Sequence, residues 1–174
     1  PGPVARGVDT HQALSLAPGF LGLTPQGWMR EWPMERGGRV RHVPLRLPPE
    51  LLARTDAIVV SDEEIAQARS AVEWVGARRI GVVTLGPNGC NLLYAGHRAE
   101  LPGYPVKTVD LTGAGDVFAA AFFLKASDRR VSPLTAGRYA NLVAALSLRG
   151  IGPDAIPPIE EIEERFVDWE AVRR

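Results

Sequence analysis

At 174 residues the chain is long enough for one domain with a substantial core. Twenty basic residues balance twenty acidic ones, so no excess charge points to nucleic acid or to an anionic membrane. Hydrophobic residues at 45% and charged residues at 23% exclude a disordered chain, and the single cysteine, Cys90, excludes an internal disulfide framework. One thiol fits a reducing compartment. No run approaches the roughly 18 apolar residues of a membrane span, and no charged start leads into an apolar signal core. The expected location is therefore cytoplasmic.

Residues 11–16 allow a short helix, with His11 at the surface. Phe20–Thr24 has the composition of a short buried strand stopped by Pro25, followed by a turn with Trp28 and Trp32. Arg36–Arg39 reads as a turn and Val40–Val43 as an exposed strand or connection. Pro48 and Pro49 open a brief helix. Ala57–Val60 is a continuous apolar run, the mark of a strand buried on both faces. Ser61–Ile65 then starts a helix reaching about Gly76. Ser61-x-x-Glu64 has the form of a capping box, in which each side chain satisfies an amide at the helix start.

Arg79–Gly86 is the next buried strand with its exit. Pro87-Asn88-Gly89 supplies turn chemistry, and Cys90–Tyr94 returns as a hairpin strand. His97 is expected in an exposed Gly-His-Arg turn. Val109-Asp110-Leu111-Thr112-Gly113-Ala114-Gly115-Asp116 then carries a short apolar run into a glycine turn, and the alanine-rich segment after it has the spacing of a buried helix face. Such a junction leaves amides unpaired at a helix start, where they and the helix dipole attract anions. Asp116 sits at that same start. On local grounds alone it could equally be a first-turn acid complementing the dipole. Ser132 caps a helix with Pro133 at its first position, running to about Leu148, and Ile159–Val172 is a terminal amphipathic helix with Phe166 and Trp169 as packing residues.

Four buried strands alternating with helices imply an α/β fold with a largely parallel sheet, expected as a single domain over 1–174. Ligands of such sheets sit beyond the carboxyl ends of the strands, and Glu64, Thr84, Gly86 and Asp116 are all expected just past strand ends.

The string from Asp110 to Asp116 resembles the second signature of the ribokinase-like (PfkB) carbohydrate kinases, Asp-x-Thr-Gly-Ala-Gly-Asp before a small-residue helix, with every fixed position filled. No Gly-Lys-Ser/Thr follows, so it is not a P-loop. The segment Leu23–Arg30 is similar to one found in a bacterial and archaeal branch of that family. The resemblance implies a ribokinase-like layered fold represented by its nucleotide-side, C-terminal half, lacking the N-terminal sugar-side half and lid. The start at Pro1 without methionine accords with a fragment, and a natural short form is the alternative.

The same resemblance implies ATP-dependent transfer of the γ-phosphate to a hydroxyl of a sugar or sugar-like acceptor. Asp116 would be the general base, and the amides of Gly113, Ala114, Gly115 and Asp116 the anion hole. Thr84, Gly86 and Gly89 would pass the nucleotide's phosphates and ribose. Asn141 aligns with an adenine-side asparagine, although an ordinary helix-face amide reads equally well. Glu64 matches the glutamate that acts through water on the nucleotide's magnesium in an Asn-x-x-Glu motif, but Ser61 departs from that asparagine. Asp110 and Thr112 align with positions that hold a monovalent cation such as potassium in some members. A nucleoside kinase of the same fold, or a truncated homologue that binds nucleotide or pairs with another subunit without catalysing, are the rival readings, and a homodimer is left open.

Overall fold

The computed structural model describes residues 14–15, 19–31 and 39–172. His11, Trp32, the Arg36–Gly38 part of the expected turn, and most of the expected 11–16 helix lie outside them. The chain packs as two compact units, one of residues 1–85 and 91–99, the other of residues 86–90 and 100–174.

The first unit is built on most of a sheet of β1 (Gly22–Leu23), β4 (Ala57–Ser61), β5 (Ile80–Thr84), β6 (Cys90–Tyr94) and β7 (His97–Leu101), in that spatial order, with Cys90 and the last two residues of β7 belonging to the second unit. β1 runs parallel to β4 and β4 parallel to β5, with Ala57 opposite Ile80 and Ser61 opposite Thr84. Parallel neighbours require a crossover, and α2 (Ile65–Arg78) supplies it between β4 and β5. Both strands are buried along most of their length, as their unbroken apolar runs require. The core gathers Leu21, Leu23, Leu51 of α1 (Pro49–Arg54), Ile58, Val60, Val72 and Val75. A separate pair, β2 (Arg30–Glu31) and β3 (Arg41–His42), is antiparallel.

Two expectations change here. The helix after β4 begins at Ile65, not at Ser61, because residues 62–64 form a turn first. Its end at Arg78 lies close to the expected one, and Gly76 is inside its last turn. A Cβ on Gly76 would lie 2.6 Å from that of Leu93, so glycine marks where β6 crosses the helix. His97 does not sit in a turn: it opens β7, and the turn is Ala95-Gly96, with φ of 48° and 81°. Two left-handed residues are what a two-residue hairpin with right-handed twist needs. Alanine is an unusual choice there, which hid the turn and the strand after it.

The second unit is helical. In α3 (Ala114–Ala126), Phe118, Ala119, Ala121 and Phe122 are buried, and α3 packs alongside α4 (Pro133–Ser147), which is buried along most of its length. Ser132 caps α4 by accepting from the Thr135 amide at 3.1 Å, with Pro133 behind it as expected. The last helix, α5 (Ile159–Ala171), buries Ile162. It sets Phe166 edge-on to Tyr139 at 5.2 Å and pairs Glu163 with Lys125 at 2.8 Å.

Asp56 joins the amino ends of the three parallel strands. One carboxylate oxygen accepts from the Leu21 amide at 2.8 Å and from Arg54 at 2.9 Å, and the other faces Arg79 at 3.1 Å. Its own carbonyl accepts from the Ile80 amide at 3.2 Å. Replacing Asp56 by Ala leaves the Leu21 amide and Arg54 without this acceptor, so urea unfolding should show a loss of about 2–3 kcal/mol. A change below about 0.5 kcal/mol would mean that these contacts are screened by solvent.

Candidate functional site

The glycine junction opens α3. Gly113 is the cap residue, with φ of 80°, a left-handed conformation that glycine adopts without strain. The helix cannot supply acceptors for its first amides. Among the described residues, the amides of Gly113, Gly115 and Asp116 have no acceptor against them. That of Ala114 points back to the Leu111 carbonyl at 3.4 Å, a long contact, and the first regular helical bond runs from Val117 to the Gly113 carbonyl at 2.9 Å. Three of the four expected donors are therefore open. A Cβ at Gly113 or Gly115 would meet no other atom within 4 Å, so packing demands glycine at neither. Asp116, in the first turn, is exposed.

The segment before this junction departs from expectation. Residues 102–111 form no strand, and Val109 and Leu111 are 60% and 70% exposed. Asp116 thus follows an irregular connection, not the end of a buried strand. That connection is fixed otherwise: the Val109 and Asp110 amides donate to the Leu148 carbonyl at the end of α4, at 2.7 and 3.4 Å. A Val-Asp-Leu run, with apolar residues on either side of one acid, has the composition of a strand, but two hydrogen bonds to one helix end replace the ladder. Asp110 Oδ1 accepts from the Thr112 amide at 2.9 Å, closing an Asx turn ahead of Gly113. That amide is the largest influence holding the Asp110 carboxyl below its ordinary value, with the Thr112 hydroxyl next.

The turn of Gly86–Asn88 belongs to the same unit. Gly86 has φ of 56° and is exposed, while Gly89 has φ of 91° and is buried. A Cβ on Gly89 would run into the Leu101 carbonyl and the Pro102–Gly103 peptide, and one on Gly103 would strike the Pro87 carbonyl. The two glycines lock the turn against the end of β7. Asn141 reaches the same place from α4. It is 6% exposed, and its Nδ2 donates to the Pro102 carbonyl at 3.1 Å and lies 3.4 Å from that of Leu101 and 3.7 Å from Cys90 Sγ. Its side-chain donors are thus taken up by the protein itself.

Glu64 and Thr84 lie in the first unit, at the carboxyl ends of β4 and β5. Ser61 and Thr84 are register partners, and the Asp62 amide donates to the Thr84 carbonyl at 3.0 Å. Only one arm of the capping box forms: Glu64 Oε2 accepts from the Ser61 amide at 3.0 Å, while the Glu64 amide donates to the Ser61 carbonyl and not to its hydroxyl oxygen, because the helix starts a turn later. Glu64 is half-buried. Among the described residues no three His, Cys, Asp or Glu side chains gather around a metal position. The single half-buried carboxylate of Glu64 is of the kind magnesium takes, since that ion keeps several waters and uses one or two carboxylates together with substrate phosphates.

The model of the pfkB family carbohydrate kinases matches residues 50–160, well over half of the chain. The chain belongs to this family. An uncharacterized sugar kinase of Pyrococcus horikoshii is 32% identical over 119 residues, 68% of this chain and 38% of that protein. Among solved structures, Arabidopsis thaliana ribokinase complexed with ribose and ATP superimposes with a TM-score of 0.59 at 25% identity, over 71% of this chain and 44% of that one. A Burkholderia thailandensis nucleoside kinase in complex with inosine gives 0.59 at 26% identity, over 67% and 41%. The fold is therefore the ribokinase-like α/β fold, with a mostly parallel sheet and flanking helices, and the chain spans about two fifths of the length of these relatives. Among the described residues, no helix is long and apolar enough to cross a membrane.

Sequence reasoning missed Gly103 and the role of Asn141 as a clamp. A Pro-Gly pair after an unrecognised strand offered no signal, since the contact that demands Gly103 lies across the hairpin base. Cys90, taken from the sequence as a small strand residue, is buried. Burial pushes its thiol from an ordinary 9.0 up to about 12, against a smaller lowering by Asn141. The unfolded thiol ionises near pH 9 and the folded one near 12, so this group's stabilising contribution is complete below pH 9 and fades as pH rises through that window. Alkylation of the native protein at pH 8 should run about a thousandfold slower than in denaturant, the ratio of the thiolate fractions. Rates within tenfold of each other would show an open thiol.

Proposed function

We propose that this chain is the nucleotide-binding part of a kinase that transfers the γ-phosphate of ATP to an alcohol hydroxyl of a sugar or sugar-like acceptor. What carries the reading is the start of α3, where three amides without acceptors lie within one helical turn of an exposed carboxylate. Membership of the carbohydrate kinase family supports it, as does the ribose and ATP named for the Arabidopsis ribokinase. The nucleoside kinase with inosine is an equally similar fold, so the acceptor class extends to the sugar hydroxyl of a nucleoside.

In this reading Asp116 accepts the proton of the acceptor hydroxyl as its oxygen attacks the phosphoryl group. A positioned base contributes about 10²–10⁴ in rate. The amides of Gly113, Gly115 and Asp116 hold the charge of the transferring group, and being fixed by the helix they need no reorganisation when that charge develops. Ala114 can join them only by giving up its long contact to Leu111. Magnesium, when bound with ATP, supplies positive charge that offsets the charge on the phosphate oxygens. Glu64 would hold it through water with the carboxylate oxygen that does not face Ser61. Asp110, kept ionised by the Thr112 amide, would offer an anionic oxygen to a monovalent cation.

Two substitutions test the assignment in a sugar and nucleoside panel with ADP production as readout. Asp116→Asn should lower turnover at least about a hundredfold and leave Mg-ADP affinity within about twofold. Turnover equal to wild type would remove Asp116 from the chemistry. Gly115→Ala fills space that nothing in the chain occupies, and alanine is the better helix former by about 0.5–1 kcal/mol. That variant should therefore unfold at higher urea while losing activity, because its methyl group would crowd the phosphate. A gain in stability with full activity would place the phosphates elsewhere.

A further inference from the structure

We propose that Asn141 and Gly103 are positioning residues for the nucleotide: the Asn141 amide holds the Leu101–Pro102 backbone, on which Gly103 and Gly89 lock, and so fixes the Gly86–Gly89 turn. This rests on the reading that the turn meets the nucleotide. It differs from an adenine contact by Asn141, because that side chain spends its donors on the carbonyls of Pro102 and Leu101.

The physical chain is short. The Gly86–Asn88 turn is a single loop of 3₁₀ helix, with the Gly89 amide donating to the Gly86 carbonyl at 3.1 Å. Such a turn has little geometry of its own, since one hydrogen bond fixes few dihedrals. Its outer part is exposed from Gly86 to Asn88, so its conformation is imposed from Gly89 inward. There the backbone of Leu101, Pro102 and Gly103 approaches so closely that neither Gly89 nor Gly103 has room for a Cβ. Pro102 offers no amide donor, and its carbonyl is the one Asn141 takes at 3.1 Å. Asn141 itself is fixed on α4 between the buried Ala140 and Leu142. A helix buried along most of its length thus sets the height of an exposed turn through one buried amide. A buried amide with satisfied donors specifies one arrangement, and losing it leaves carbonyl groups unpaired.

Mg-ADP affinity, measured by calorimetry at a temperature where each variant is folded, gives the first test. Asn141→Leu keeps the branched heavy-atom shape and removes both donors. It should weaken Mg-ADP at least tenfold, and Gly103→Ala should do the same through the other side of the lock. Wild-type affinity in a folded Asn141→Leu variant would overturn the proposal while leaving the nucleotide reading intact. No binding by the wild-type chain would remove that reading and the proposal with it. Hydrogen exchange of the wild-type chain needs no variant to fold. Saturating Mg-ADP should slow exchange at least fivefold in 86–90 and equally in 101–104. Binding that leaves both segments unchanged, or protects the first without the second, would overturn the coupling. A purely structural asparagine would lower stability without producing this paired protection.

Discussion

An α-helix cannot provide acceptors for its own first amides, and how each helix start meets that constraint organises this chain. The start of α4 is closed by the Ser132 hydroxyl and by Pro133, which has no amide to satisfy, and α1 likewise begins on a proline. α5 sets Glu160 and Glu161 in its first turn, and Glu161 is committed to Arg149 and Arg165. The start of α3 shares only a first-turn acid with them. It has a left-handed glycine as cap, a second glycine inside the first turn, and an aspartate that no basic side chain engages among the described residues. Donors left open in this way cost little at an exposed end, since water can reach them. They become valuable only when an anion replaces that water.

The glycines of this chain divide by what would happen if they carried a side chain. Gly76, Gly89 and Gly103 would collide with neighbouring strands or turns, so close packing accounts for them. Gly113 has open space but a backbone angle that disfavours other residues. Gly115 has neither reason: it is helical, exposed and uncrowded, and it costs the helix about 1 kcal/mol relative to alanine. A residue that costs stability and relieves nothing within the fold is accounted for by something that approaches from outside. In the nucleotide reading that is a phosphate chain lying against bare backbone.

The parallel strands and the two longest helices were legible in the sequence because each carries its own signal. Ala57–Val60 and Ile80–Val83 are runs without a polar side chain, and Ser132-Pro133 is a start signal that needs no tertiary partner. The elements that were misread depend on partners distant in sequence. Val109–Leu111 has a strand's composition but is bound by the end of α4, and the β7 strand follows a hairpin turn built on alanine. For the candidate site the glycine string and Asp116 were legible, since backbone chemistry lies within a few residues. The Asn141 clamp was not. Its meaning comes from two carbonyls forty and thirty-nine positions away.

Glu64 shows how two readings that compete on paper can share one side chain. A capping box and a water-mediated magnesium contact both ask for the carboxylate at the end of β4. Oε2 is engaged by the Ser61 amide, and this bond orients the group through one of its two oxygens. The bond uses the main-chain nitrogen of residue 61, so it is indifferent to whether that residue is serine or asparagine. The departure from the family's Asn-x-x-Glu pattern therefore leaves the glutamate's placement untouched. What serine in place of asparagine gives up is a longer polar side chain at the strand end. Any consequence of that change belongs to residue 61 itself and not to the carboxylate three residues on.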